Sequence, residues 1–433
     1  MFQTLVPGAG SRRWFQARVQ ALPRRSGHKP QSQTKGFASV GRLDTHLGSS
    51  LRTSDFDYWL PEELIAQEPA PSRDASRLLG VHRGTASWSD HRFSDLPCLL
   101  PRGALLVLND SRDFPARHRG RKATGGAVEV LLVRQVAERT SGPVWSALCH
   151  ASKGLKEGQE ISFASEDAPQ ARDASRAGDA SRAGLGSLKV RASVEKTGPD
   201  GRALLAFSLS GELAAPADPQ AASARFFSWV ESVGETPLPP YIRRPGGERP
   251  LDRERYQTVY ARSAGSVAAP TAGLHFTPAL LGALSASGFE QTALTLHVGP
   301  GTFRPVRAEE VEGHRMEEEL VDIGEAAVTA ISEARRAGRP LIAVGTTTVR
   351  ALESAAARPG GLAPGRFATD LFIRPGHRFA LVDGLVTNFH LPRSTLLMLV
   401  SALGGRELVL GAYDHAVRER YRFYSYGDAM LVL

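Results

Sequence analysis

The apolar positions of this chain fall into two textures. Between residues 103 and 233 they form short runs, "GALLVLND", "AVEVLLVRQV", "VWSALCHA", "SLKVRASVEK" and "RALLAFSLSG", parted by Gly, Pro and Ser. Short alternating segments at that spacing predict a small antiparallel barrel or sandwich. From residue 255 onward the period changes. Thr277 and Pro278 suit a helix start, and Gly288 suits its end. "QTALTLHV" reads as a strand and "GEAAVTAISEARRAG" as an amphipathic helix closed by Gly338. "PLIAV" is a buried strand, "TTVRALESAAA" a helix, "ALVDGLVTNFH" a strand and "RSTLLMLVSAL" a helix. Strand–helix alternation predicts an α/β layer structure. The segment "FDYWLPEELIAQEP" packs with this part, which makes the strand-rich region an insertion. The expected architecture is an α/β main domain built from 51–108 plus 237–433, with an inserted antiparallel β-barrel domain over 109–236. "PLPPYIRRPGG" is the rigid connector between them, and "YRFYSYGDAMLVL" closes the chain.

Two segments fit neither texture. Residues 164–187 carry the tandem unit D-A-S-R-A-G, too short and polar to stack as a solenoid; it reads as a low-complexity loop expansion. Residues 1–50 hold eight of the 53 basic residues and one of the 45 acidic ones. They read as a disordered basic leader, an organellar transit peptide, or translation assigned from too far upstream. The net charge of +8 therefore comes mostly from the leader. A polyanion would have to be met by a local patch of the near-neutral remainder. Cys98 and Cys149 share no motif, which argues against a disulfide framework, a cysteine zinc site and an iron–sulfur cluster. No apolar run is long enough to span a bilayer. No lysine follows Lys196, so a lysine nucleophile is excluded from the second half.

Candidate chemistry concentrates there. "SVAAPTAGLHFTPALL" brings a run of small and rigid residues up to His275, which would let a ligand lie close to the backbone. His297 and His390 end predicted strands, and ligands of open α/β sheets sit beyond the carboxyl ends of strands. Each histidine taken singly could equally be structural. In "IAVGTTTVRALES" a buried strand meets Gly345 and then Thr346, Thr347 and Thr348 at a helix start, an anion site made of N–H groups and hydroxyls. Arg350 and Glu353 lie one turn apart on that helix; an ordinary capped helix with a salt bridge is the alternative. The P-loop lysine is missing, and Gly299 with Gly301 forms a lone G-x-G, a weak dinucleotide signal. Arg121 and Lys122 flank a turn and offer a phosphate contact. The aromatics around Arg422, with Tyr426 and Asp428, either stack unpaired bases or face the core.

Read together, "DFDYWLPEELIAQEPAPSRDASRLL", "PARHRGRKATGGAVEVLL", "PLPPYI", "RYQTVYAR…GSVAAPTAGLHFTP", "LHVGPGTFRPV", "AVGTTTVRALES", "LVTNFHLPRSTLLMLVSAL" and "RYRFYSYGDAML" resemble the S-adenosylmethionine:tRNA ribosyltransferase-isomerase family from about Asp55 to the C-terminus. The resemblance implies transfer of the ribosyl part of S-adenosylmethionine to 7-aminomethyl-7-deazaguanine at the tRNA wobble position. Isomerisation then gives epoxyqueuosine, with release of adenine and methionine. It implies a monomeric cytoplasmic enzyme acting on a tRNA anticodon loop, with no membrane association. No cofactor or metal is expected, because the donor is consumed as co-substrate.

The sulfonium acidifies the ribose C5′ hydrogens, so a base must remove one, and the methionine carboxylate calls for a helix N-terminus or an arginine. Carried onto this chain, His275, His297, Arg350, Glu353 and His390 are the catalytic candidates, with His297 or His275 as base. Pro270, Thr271, Gly273, Phe276, Gly299, Thr346, Thr347, Thr348, Arg393, Arg121, Lys122, Tyr426 and Asp428 are the substrate-binding candidates. Pro300, Glu317 and His118 depart from the family pattern, and Pro300 bears most on loop geometry. A conventional methyltransferase using the same donor and a tRNA-binding module without turnover are the competing readings.

Overall fold

In the computed structural model, residues 51–163, 188–210, 218–245, 247–299, 301, 306 and 308–433 are described. The leader, the repeat at 164–187 and Pro300 lie outside the described residues. Leu51–Leu433 form one compact unit.

Among the described residues the sequence builds seventeen strands. β1 (Arg77–His82), β2 (Ser87–Arg92), β3 (Leu105–Asn109) and β4 (Ser111–Asp113) come first. β5 (Arg117–Lys122), β6 (Ala127–Ala137), β7 (Val144–Ala151), β8 (Glu160–Phe163), β9 (Lys189–Thr197) and β10 (Arg202–Ser210) follow. β11 (Ser263–Ser266), β12 (Glu290–His297), β13 (Glu319–Ile323), β14 (Leu341–Val344), β15 (Gly365–Thr369), β16 (Gly384–Asn388) and β17 (Ala429–Val432) complete the set. Nine of them make one mixed sheet in the order β15-β13-β12-β3-β14-β16-β17-β1-β2. Its centre, β12-β3-β14-β16, is parallel throughout.

Every residue of β3, β14 and β16 is buried, as a parallel sheet covered on both faces requires. The period of two divides the burden. Leu105, Val107, Leu341 and Ala343 join the core beneath the helices Glu325–Arg336, Thr346–Ala357, Thr395–Gly404 and Arg406–Arg418. Leu106, Leu108, Ile342 and Val344 face the Pro278–Ala286 helix instead. Phe56 and Leu64 of the first segment join the former cluster.

The inserted strands close into a barrel, β10-β7-β6-β5-β8-β9. It has its own core, to which Phe226, Trp229 and Val230 of the Pro219–Val233 helix contribute. Asp218 caps that helix through Gln220 N and Ala221 N. His118 is buried in the barrel, its ring stacked on Trp229 at 4.6 Å.

One expectation needs correction. "GALLVLND" belongs to the centre of the large sheet and not to the barrel, because a short apolar run carries no mark of which sheet will cover it. The structure adds the helices Pro219–Val233 and Arg406–Arg418. Within the tail "YRFYSYGDAMLVL", Ala429–Val432 form a strand, antiparallel to β16 and parallel to β1. Among the described residues no single helix is long and apolar enough to cross a membrane.

Candidate functional site

The carboxyl ends of β12, β3, β14 and β16 open on one edge of the sheet, where α/β folds place ligands. A cleft of about 610 Å³, its mouth included, lies there. Val298 follows β12, Gly345 to Thr347 follow β14, and Thr387 and Asn388 end β16, with Phe389 to Leu391 after it, on its walls. Thr271 and Ala272 close one side, and Tyr241, Tyr424 and Ser425 another.

The wall after β14 has a simple cause. Gly345 has φ 94° and ψ 147°, a left-handed conformation that side chains other than glycine's resist. The chain turns there straight into the Thr346–Ala357 helix, and no side chain caps it. The first-turn N–H groups have no acceptor within the helix. Thr348 donates its hydroxyl back to Val344 O at 2.6 Å and is fully buried. Asn109, at the end of β3, donates to Leu296 O at 3.0 Å and Thr347 Oγ1 at 3.3 Å. Its Oδ1 accepts from Leu296 N at 3.0 Å. One amide thus staples β3, β12 and the helix start together.

The three histidines take different places. His390 lines the cleft. Its Nε2 lies 2.8 Å from Thr387 Oγ1, and its backbone N–H donates to Tyr413 Oη at 2.9 Å. Tyr58 donates its hydroxyl to His390 O. His275 stands behind the cleft wall and lines a second, smaller pocket with Arg73, Ser76 and Arg255. Its ring joins Ser76 Oγ at 2.8 Å and Asn388 Nδ2 at 3.0 Å. Burial depresses the pKa of His275 and of His390 to about 3; for His275 the cations Arg422 and Arg73 push the same way. His297 is half-buried beside Gly265 and does not line the cleft. Its pKa is lowered by burial and by Arg366. Strand alternation explains the outcome: Val298 turns toward the cleft, and its neighbour turns away.

Other candidates are spoken for. Arg350 forms a buried ion pair with Glu319 and donates through Nε to Leu371 O at 3.0 Å. Glu319 in turn accepts from Gly299 N at 3.0 Å, so the pair holds the loop after β12. Glu353 accepts from Ala380 N at 2.7 Å and from Leu381 N and Val382 N at 3.0 Å each. It anchors a loop and does not line the cleft. Arg393, at φ 57°, holds Asp57 through Nε at 2.9 Å.

Of the residues before His275, Thr271 lines the cleft, but Pro270 and Gly273 do not. A Cβ on Gly273 would sit 2.1 Å from Tyr260 Oη, so this glycine makes room for a tyrosine and not for a ligand. Phe276 is core, edge-on to Phe93 at 5.0 Å. Tyr426 is buried, donating to Asp252 Oδ1 at 3.0 Å. Asp428 accepts from Arg77 N at 2.9 Å and Arg422 N at 2.8 Å. The tail aromatics therefore face inward. Arg121 and Lys122 lie on the barrel hairpin between β5 and β6, where Lys122 donates to Gly154 O. Glu317 pairs with Arg202 of β10.

Sequence reasoning missed Asn388, Thr387, Ser394, Tyr241, Tyr424 and Ser425. In "LVTNFH" the histidine carries a chemical signal and the amide beside it carries none. Tyr241 lay inside a stretch read only as a connector.

The family described as queuosine biosynthesis protein matches residues 53–432. The chain is 50% identical over 383 residues to the S-adenosylmethionine:tRNA ribosyltransferase-isomerase of Anaeromyxobacter sp. (strain Fw109-5), covering 88% of this chain and 99% of that one. It is 48% identical over 378 residues to the protein of the same name from Pelobacter propionicus, covering 87% and 98%. A crystal structure of S-adenosylmethionine tRNA ribosyltransferase from Thermotoga maritima is 35% identical, with 88% of this chain and 100% of that chain covered and a TM-score of 0.46.

The buried histidines set a pH dependence. His118, His275 and His390 each have a folded pKa of about 3, against an unfolded value of about 6.5. Between those values the unfolded chain binds more protons, so their contribution to stability is complete above the unfolded value and is lost as pH falls below it. Each costs roughly 1.3 kcal/mol on going from pH 7.5 to 5.5. Urea unfolding at the two pH values should show a clear loss at the lower one. Equal or greater stability at pH 5.5 would contradict burial of neutral imidazoles.

Proposed function

The chain belongs to the queuosine biosynthesis family, and on that premise we propose that the cleft beyond β14 and β16 is where its donor reacts. The protein is a transferase-isomerase. It moves the ribosyl part of S-adenosylmethionine to 7-aminomethyl-7-deazaguanine at the wobble position of tRNA and isomerises it. Epoxyqueuosine forms, and adenine and methionine leave. The donor is consumed as a co-substrate with no resident cofactor, and the enzyme works as a cytoplasmic monomer.

The observation that carries the placement is the uncapped start of the Thr346–Ala357 helix facing the same cleft as His390. The N-terminal end of a helix favours a carboxylate, and the donor's methionine part has one. His390 is the histidine that faces this space, so it replaces His275 and His297 as our candidate base. Burial keeps its imidazole neutral, the form able to take a proton. His390 Nε2 lies 2.8 Å from Thr387 Oγ1, and the ring nitrogen that Thr387 does not engage would take a C5′ proton made acidic by the sulfonium. The wobble base must leave the anticodon stack to enter. Trp59, 74% exposed, adjoins Tyr58, whose hydroxyl holds His390 O.

The purified full chain, precursor-bearing tRNA and doubly labelled S-adenosylmethionine should yield free adenine and methionine in equal amounts with label in the tRNA. S-adenosylhomocysteine as the product would make it a methyltransferase, and tRNA binding without turnover would make it a binding module. His390→Gln should lower kcat by roughly 10²–10⁴-fold while donor binding persists. Turnover within a few-fold of the parent protein would remove His390 from the role of base.

A further inference from the structure

Asn388 ends β16, is 2% exposed and lies on the cleft wall. Its Nδ2 sits 3.0 Å from His275 Nε2 and 3.3 Å from Tyr424 O. A backbone carbonyl can only accept, so the atom shared by both contacts is the amide nitrogen. The proton positions follow in sequence. His275 Nε2 accepts, so Nδ1 carries the ring proton and donates to Ser76 Oγ at 2.8 Å. Ser76 Oγ then donates to Arg73 O at 3.3 Å. The chain runs one way, from Asn388 through His275 and Ser76 to a backbone carbonyl. It fixes the amide, and it leaves Asn388 Oδ1 buried with no hydrogen-bond partner. An orphaned buried acceptor on a cleft wall is costly unless a ligand supplies the donor.

The neighbouring wall has the opposite need. Gly345 N donates to Val386 O at 2.8 Å, and Val344 pairs with Val386 in parallel register. Thr346, at the helix start, and Asn388, at the end of β16, each lie two residues beyond that pair. Unsatisfied N–H groups on one side and an unsatisfied carbonyl oxygen on the other suit a group that carries an anion and an ammonium on a single carbon. Tyr424, held at φ 70°, lines the cleft with its carbonyl accepting from Asn388 Nδ2 and Gly427 N. A strained residue kept by such bonds is typical of a ligand clamp.

We propose that the cleft grips the α-amino-acid end of the donor in two halves. The first-turn N–H groups of Thr346 and Thr347 take the carboxylate, and Asn388 Oδ1 takes the ammonium. His275 is a positioning residue that holds the amide in the accepting orientation. This rests on S-adenosylmethionine being the donor. It assigns His275 a place behind the wall, where it touches no substrate.

The test is calorimetric binding to the full chain without tRNA, using S-adenosylmethionine and its analogue lacking the α-amino group. The parent protein should bind the analogue roughly 10–100-fold more weakly, the range of a hydrogen bond to a charged group. Asn388→Ala should weaken S-adenosylmethionine by a similar factor and leave the analogue unchanged. His275→Phe should raise KM for S-adenosylmethionine while sparing kcat and binding of the analogue. Equal binding of the two ligands by the parent protein overturns the grip, even if neither variant folds. Equal weakening of both ligands in Asn388→Ala also overturns it. The turnover assay keeps the two readings apart, since adenine release with equal ligand binding refutes only the grip. Failure of S-adenosylmethionine itself to bind refutes both.

Discussion

One backbone conformation at Gly345 organises this site. β14 is buried along its whole length and ends at Val344, at the centre of the parallel part of the sheet. Continuing as a strand would fill the cleft, and an ordinary capped helix start would cover its own N–H groups. The left-handed turn at Gly345 does neither. It delivers the helix start directly to the sheet edge with its donors uncovered. Helix polarity is thereby aimed at the space where β12 and β16 also end.

The surrounding groups hold that edge still. Asn109 ties three elements with one side chain. The Arg350–Glu319 pair, both side chains almost fully buried, carries the loop after β12 through Gly299 N. A buried pair of this kind is a weak source of net stability, but loss of one partner is expensive, so it serves as a fixed strut. Glu353 does a similar task with three backbone donors. Charged residues on this helix support the site without facing it.

The architecture was legible because its signals are periodic. Alternation over the barrel strands, apolar runs in β14 and β16, and Gly stops after helices could all be read along one dimension. The helix Pro219–Val233 was missed although Asp218 and Pro219 form a regular start. "GALLVLND" went to the wrong sheet because burial on both faces leaves no alternation to read. Within the site, the threonines after Gly345 and His390 were legible from strand-end logic. Arg350 and Glu353 were not: spacing puts them on one helix face, but only packing tells whether that face meets a cleft or a core. Gly273 misled for a like reason, its missing Cβ making way for Tyr260. Asn388, Tyr241 and Ser425 come together from segments far apart in sequence, so no local pattern announces them.

The central claim is that one cleft, bounded by Thr346, Asn388 and His390, receives the donor. A crystal structure of the protein soaked or grown with S-adenosylmethionine tests it most directly. The account predicts methionine density within hydrogen-bond reach of Thr346 N and Asn388 Oδ1, and the ribose C5′ near His390 Nδ1. A donor bound instead in the small pocket beside Arg73 and Arg255, or on the barrel, would contradict it.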